Sequence, residues 1–456
     1  MNSLLEMKTS LSQKIIKTYK EKILWIPVQE KLAVQSANAS RKVYNLCREQ
    51  RETAYQRTFT SPSYAQQCLE ITECRKENPW LAEVPSQILQ QAAKDCDTSY
   101  QRFFQGISNY PQWRRKYQNE SFRFPQGVKN LRRVGKRSGM VYLPKFGDVC
   151  FRWSQKILGE LLTTTVVQET DGWFLCLTCE ITLSTLDARD LYSLGFRLPP
   201  ESKIPVGIDR GCLVGAYAST GKLYHLPTLE IIQLEKEIAY RQSKLKNKQK
   251  GSKNYKKERT KIAQLHRQIF YLADNGHHQT SNQLANNHSI VCLESLKIPE
   301  MTASAQGTLE NPGKNVKAKS GLNKSILRQR WGKLERLVKY KLSWRGGLVL
   351  KIPSPYTSTT CFACRYNNSR NRKGQIFRCQ RCPWTCHADY NAALNILFSG
   401  MVKFLSLLLI LSQPSLTAGL AGIACGDAGS LTRSMKQETL GSESRCSEMQ
   451  LRIPRL

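Results

Sequence analysis

Two cysteine pairs near the C-terminus, Cys361-x-x-Cys364 and Cys379-x-x-Cys382, constrain this chain more than any other feature. Residues 365–378 separate them. Each pair can chelate from a tight turn, and two such turns close a tetrahedral thiolate site of the zinc-ribbon kind. Four thiolates leave no open coordination position, so the Zn²⁺ expected at Cys361, Cys364, Cys379 and Cys382 is structural. Cys386 and His387 follow closely and are alternative ligands. Asp389 comes next, at the start of a helical pattern through Ala393, Ile396 and Leu397, so the ribbon is expected to sit beside that carboxylate.

Two further carboxylates end runs that are otherwise wholly apolar: Val206-Gly207-Ile208-Asp209 and Ile290-Val291-Cys292-Leu293-Glu294. Taken singly, Asp209 reads as a turn residue, Glu294 as a strand-end charge and Asp389 as a helix cap. Together they read differently, because sites form at the ends of the strands in open α/β sheets. Three carboxylates meeting there repel one another unless cations sit between them, and hard oxygen ligands select Mg²⁺ or Mn²⁺. Two such ions can activate water and stabilise a leaving oxygen, which is the chemistry of a metal-dependent phosphodiesterase.

Charge points to the substrate. The chain has 456 residues with 69 Lys and Arg against 35 Asp and Glu, a formal net charge of +34. Such an imbalance opposes compaction and attracts polyanions, nucleic acid first among them. Between Lys236 and Arg267 there are twelve basic residues and two acids, Glu237 and Glu258, on a helical pair broken at Gly251-Ser252. A helix face this basic, without acidic neighbours one turn away, is unfavourable unless an anion neutralises it. Residues 109–125 interleave Tyr110, Trp113, Tyr117, Phe122 and Phe124 with Arg114, Arg115, Lys116 and Arg123. Such a segment can stack bases, or can tuck its rings into a core while its charges stay solvated.

Sixteen cysteines do not imply a disulfide framework, since Met1–Lys20 has no apolar h-region and scattered thiols suit a reducing compartment. The apolar run Met401–Leu411 contains Lys403, is too short to span a bilayer and reads as a packed helix, so no membrane segment is expected. Upstream, apolar residues from Leu89 to Phe104 recur at helical spacing; short strands follow from Met140 to Ile181, a small barrel or sheet. Cys176-x-x-Cys179 lies inside the last strand, where residues three apart face opposite ways, so these thiols read as packing. A hairpin turns at Thr220-Gly221, residues 302–324 read as mobile, and a helix carries Leu327, Trp331, Leu334 and Val338. The tail from Ser412 reads as largely disordered.

Gly207-Ile208-Asp209-Arg210-Gly211, the basic helical pair, Ile290–Lys297, Leu322–Leu327, Tyr356–Cys361 and Asp389-Tyr390-Asn391-Ala392-Ala393 resemble the TnpB family. This is the insertion-sequence-encoded OrfB group, related to the type V CRISPR effectors. The resemblance extends over residues 20–440. Pro383 departs from the Gly that commonly follows the fourth cysteine, Ala388 from an Arg beside the final Asp, and the apolar run 401–411 is not a family feature. The resemblance implies an α/β fold: an RNase H-like (RuvC) nuclease domain at 204–400 with a zinc ribbon at 354–386 inserted. It also implies an N-terminal helical and small β-barrel (OB/WED-like) nucleic-acid-binding region at 1–203 and a tail at 401–456. It implies a Mg²⁺-dependent DNA endonuclease with Asp209, Glu294 and Asp389 as metal-binding acids. The partners implied are a guide RNA from the element and a double-stranded DNA target, with one protein chain per RNA in a prokaryotic cytoplasm, at the nucleoid. A transposase using the same triad for strand transfer, and a protein that binds without cutting, are the alternatives.

Overall fold

The structure, a computed structural model, describes residues 14–411 apart from breaks at 117–119, 127, 197–202, 213–214, 309 and 354. Tyr117 and the tail from Ser412 therefore lie outside the described residues. The N-terminal part joins helices α1 (Pro27–Thr58), α2 (Tyr64–Glu77) and α3 (Ser86–Phe104) to a seven-stranded antiparallel sheet. Its strands are β1 (Lys14–Leu24), β2 (Ser121–Phe124), β3 (Lys129–Arg133), β4 (Ser138–Leu143), β5 (Gly147–Arg152), β6 (Glu160–Glu169) and β7 (Gly172–Thr182), in the order β2-β6-β7-β1-β5-β4-β3. The sheet has two edges, β2 and β3, and is not closed by hydrogen bonds into the expected barrel among the described residues.

β1, which no sequence pattern above predicts, holds this sheet together. Ile15, Tyr19, Glu21 and Ile23 are buried and Lys17 half-buried on one face, while Ile16, Thr18, Lys20 and Lys22 face out, the alternation of a strand with one wet face. Its first nine residues pair with β7 and its last two with β5. Cys179 points into the core and Cys176 to the opposite, part-exposed face, as their spacing required. One core joins the sheet to α3 through Ile88, Leu89, Ala92 and Cys96.

The second part is a five-stranded sheet in the order β10-β9-β8-β11-β12: β8 (Val206–Asp209), β9 (Ala216–Ala218), β10 (Leu223–Tyr224), β11 (Ile290–Glu294) and β12 (Leu348–Ile352). β8, β11 and β12 run parallel, whereas β9 and β10 return antiparallel around the turn at Gly221. Helices α4 (Thr228–Lys246) and α5 (Lys253–Asn287) form the expected basic pair. After β11 come α6 (Val316–Gln329) and α7 (Trp331–Ser343). Two expectations need correction here. Residues 316–324 are helical, not part of a mobile stretch, and the single helix expected through Leu327 and Val338 is broken at Arg330, whose φ of 47° is left-handed.

β11 is buried on both faces. Val291 and Leu293 pack against Leu284 of α5 and Leu334, Val338 and Leu342 of α7, while Ile290 and Cys292 meet Ile396 of α8 (Ala388–Leu411). α8 lies directly on the sheet because two glycines allow it. A Cβ at Gly207 would come 2.2 Å from the Ala393 carbonyl oxygen, and one at Gly400 would come 2.1 Å from Cys292 Sγ. The run 401–411 continues α8 without interruption, so a boundary at 400/401 falls inside a helix. It is packed only in part: Phe404 joins the core, but Val402, Leu405 and Leu409 are exposed. No helix of the described residues is long and apolar enough to cross a membrane.

Candidate functional site

Parallel pairing sets two of the three acids level. Leu293 of β11 sits opposite Ile208 of β8, so the next residues, Glu294 and Asp209, emerge side by side at the carboxyl ends of adjacent strands. From β8 the chain leaves toward β9 on one side, while β11 flanks it on the other, which opens a crevice at that end. The close seat of α8 on Gly207 then brings the helix's first turn, and Asp389 within it, to the same place. There the helix dipole favours a negative charge.

The electrostatics record the convergence. Burial first, then the charges of Glu294 and Asp389, raise the Asp209 carboxyl from 3.8 to about 7. Burial also raises Glu294, against a hydrogen bond from Thr357 and the charges of Arg210 and Arg372. The Thr357 hydroxyl donates to Glu294 Oε1 at 2.6 Å. Arg210, also buried, donates to the Glu294 main-chain carbonyl and pairs with Glu335 at 3.3 Å, which fixes the end of β11. The acids do not form a tight cluster: among the described residues, only the four cysteines form a group of three or more such ligands with all ligand atoms within 4.8 Å of one another.

Arg372 was not singled out from the sequence. It lies on β13 (Arg372–Lys373), which with β14 (Ile376–Arg378) and β15 (Thr385–His387) forms a three-stranded sheet. Its guanidinium reaches Asp389 Oδ1 at 3.0 Å. Beside it, the His387 ring stacks on Tyr217 at 5.0 Å between centroids, and its Nδ1 accepts from the Asp389 main-chain N–H at 3.2 Å.

The four expected cysteines do come together, as a group that could hold a metal. Cys361 and Cys382 Sγ are 3.6 Å apart, as are Cys364 and Cys379 Sγ. A tetrahedron with metal–sulfur bonds of ~2.3 Å has edges of ~3.8 Å, so this spacing suits the geometry. Cys386 is outside the group, paired across β14–β15 with Phe377. Two buried asparagines of α8 hold this module to the sheet. Asn391 accepts from the Phe362 N–H and donates to the Thr360 carbonyl, and Asn395 donates to the Thr357 carbonyl. The motif Asp389-x-Asn391 contained that signal, yet only its carboxylate was read.

Elsewhere the charges divide into used and unused. In residues 109–125, Phe122 and Phe124 are core, Arg114 lies 3.8 Å over Tyr44 and 3.0 Å from Asp95, and Trp113 sits 4.0 Å under Arg48. The internal packing reading holds for Phe122 and Phe124, whereas Trp113 stays 46% exposed and Arg114 is ion-paired rather than solvated. On the α4–α5 pair, both acids instead bind the same Arg241, and no ion pair is formed by Lys246, Lys250, Lys253, Lys256 or Lys257 among the described residues.

Comparison with known proteins gives the family. The family described as "Probable transposase" (OrfB_IS605) matches residues 193–305, and the "Cas12f1-like, TNB domain" matches residues 331–396. The "Putative RNA-guided DNA endonuclease InsQ" of Escherichia coli (strain K12) is 35% identical over 363 residues, covering 79% of this chain and 81% of that protein. A "Putative RNA-guided DNA endonuclease" of Streptomyces pristinaespiralis is 29% identical over 404 residues, 85% of each. Among solved structures, a Cas12f1–sgRNA–target DNA complex aligns with a TM-score of 0.42 and 14% identity, over 84% of this chain and 98% of that one. The extent and identity of the InsQ match place the chain, as its motifs implied, in the TnpB-type (OrfB) family.

Proposed function

We propose that this chain is an RNA-guided, metal-dependent DNA endonuclease encoded by a transposable element, with Asp209, Glu294 and Asp389 as its catalytic acids. The observation that carries the reading is the placing of Asp209 and Glu294 side by side at adjacent strand ends, with Asp389 near enough for its charge to act on Asp209. The rise of the Asp209 carboxyl to about 7 reflects burial first and then the negative charges of Glu294 and Asp389, and a donor set of carboxylate oxygens suits Mg²⁺ or Mn²⁺. When bound, such an ion supplies Lewis acidity to a phosphodiester and acidifies a water molecule. The chain's own residues do the rest. Thr357 orients the Glu294 carboxylate, Arg210 braces the end of β11, and Arg372 brings a cation that can meet a phosphate oxygen.

We assign zinc to the four cysteines, where it holds Arg372 beside the acids without taking part in the reaction. On this reading residues 1–203 bind nucleic acid, 204–411 carry the cutting site, and 354–386 form the inserted ribbon. The exposed lysines of the α4–α5 pair contact the phosphate backbone, while base pairing supplies sequence specificity. The names of the InsQ and Streptomyces relatives support RNA guidance.

Expression of the gene with its flanking element DNA tests this. A discrete RNA should copurify, and changing its terminal segment should redirect cleavage to the matching DNA. Cutting or joining of element ends without any RNA would instead establish a transposase.

A further inference from the structure

Four buried polar side chains line a cavity of about 10 Å³. They come from four elements: Tyr224 on β10, His277 on α5, Gln329 at the end of α6 and Trp331 at the start of α7. Their exposures are 6, 3, 2 and 4%. The Tyr224 hydroxyl, His277 Nε2, Gln329 Oε1 and Trp331 Nε1 have no hydrogen-bond partner among the described residues. Native proteins pair nearly all such groups, so four around one cavity call for a common partner.

The donor and acceptor roles narrow the choice. Trp331 Nε1 can only donate. Gln329 Nε2 donates to the Cys212 carbonyl at 2.8 Å, which turns Oε1, an acceptor, into the cavity. Burial, then the charge of Arg330, lowers His277 to about 4, and its ring bonds the Gln329 main chain. The ring is therefore neutral, and Nε2 is its accepting nitrogen. Burial raises the Tyr224 hydroxyl to about 12, so it stays protonated and can donate. The lining thus carries two unpaired donors and two unpaired acceptors. A cation is refused by the indole N–H and an anion by the two acceptors, whereas water offers two protons and two lone pairs. The cavity has room for about one water molecule.

We propose that one resident water molecule occupies this cavity, donating to His277 Nε2 and Gln329 Oε1, accepting from Trp331 Nε1 and Tyr224, and so fixing Gln329 against the segment that follows Asp209. The link is short. Cys212, whose carbonyl Gln329 holds, is three residues past Asp209, and Gly211 donates its N–H to the Gly215 carbonyl at 3.2 Å. Gly215 itself packs against the Tyr224 carbonyl and Gln329 Oε1. Without the water, the Gln329 amide gains by turning its oxygen elsewhere and releasing Cys212. Gln329 is thus a positioning residue for Asp209, a role that rests on the proposed function only in naming Asp209 catalytic.

The test needs no nuclease activity, so it stands or falls apart from that function. A structure of the full chain with its RNA, at a resolution that shows ordered water, should contain a single peak within hydrogen-bond distance of all four atoms. A collapsed cavity, or a peak with ion-like coordination, would overturn the proposal. In Gln329→Met, similar in volume but unable to make either bond, amide exchange across 206–212 should quicken by about tenfold while that of the ribbon strands is unchanged. Unchanged exchange in a folded Gln329→Met protein counts against it. If that variant does not fold, Tyr224→Phe removes one partner of four and should keep the water on the other three; loss of all density there would equally overturn it.

Discussion

Asp209 carries a largely buried carboxyl whose value in the fold, about 7, lies above the ordinary 3.8. The fold therefore favours the protonated form, and in the absence of metal its contribution to stability is present below about 3.8 and is lost as the pH rises through about 7. Asp209→Asn removes that ionisation. The metal-free variant should melt higher than the wild type at pH 8, by roughly 2 °C or more. Mg²⁺ should raise the melting temperature of the wild type and leave that of the variant nearly unchanged. A variant less stable than the wild type under metal-free conditions at pH 8 would contradict this account of the site. Glu294 makes a second test, because Thr357 donates to it at 2.6 Å. Thr357→Val keeps the side-chain shape and removes the donor, and should slow cleavage by about tenfold with target binding unchanged. A rate equal to the wild type's would show that the hydroxyl does not orient the carboxylate.

At the scale of elements, the ribbon joins structure to chemistry. Its three short strands bury Phe377 with Cys361 and Cys379, too small a core to hold shape without a staple. Cys379→Ser should lose about one zinc per chain and, with it, the register of β13 that places Arg372 against Asp389. Metal analysis and cleavage assays should therefore fail together, whereas Cys386→Ser should keep both; loss of zinc in Cys386→Ser would reassign the ligands. The contrast between cysteines and arginine shows what the sequence made legible. A chelating pair is local, and its spacing is its signal. Arg372 is one of many basic residues until the pairing of Arg372 with Phe377 aims it. The same holds for β1, whose partner strand lies some 160 residues away, and for the break at Arg330, where an arginine adopts a left-handed backbone usually left to glycine. Asp209 and Glu294 were readable because apolar strands ended on them. The level at which they meet came only from the parallel register.

Across the whole molecule, positive charge is distributed unevenly. On the α4–α5 pair Arg267 is drawn inward at the far end, where it contacts Glu169 and Asp171 at the tip of the β6–β7 hairpin, while Tyr271 donates to Asp171 at 3.2 Å. Lys20 adds a contact to the same Glu169 at 2.6 Å. This cluster ties the N-terminal sheet to α5 and leaves the junction between α4 and α5 as a basic tip. Lys250, Lys253, Lys256 and Lys257 are all exposed there. Each lysine that neutralises a phosphate releases a counterion and adds about 0.7 to 0.9 to the slope of log affinity against log salt. Changing all four to alanine should then flatten that slope for the copurified RNA by about 3, the loss of affinity being greatest at low salt and vanishing as the salt rises. The acid site lies on other elements, so DNA cleavage by the assembled complex at low salt should persist. A slope identical to the wild type's would mean that the tip stays in solvent, and that the charge of +34 binds its polyanion elsewhere on the chain.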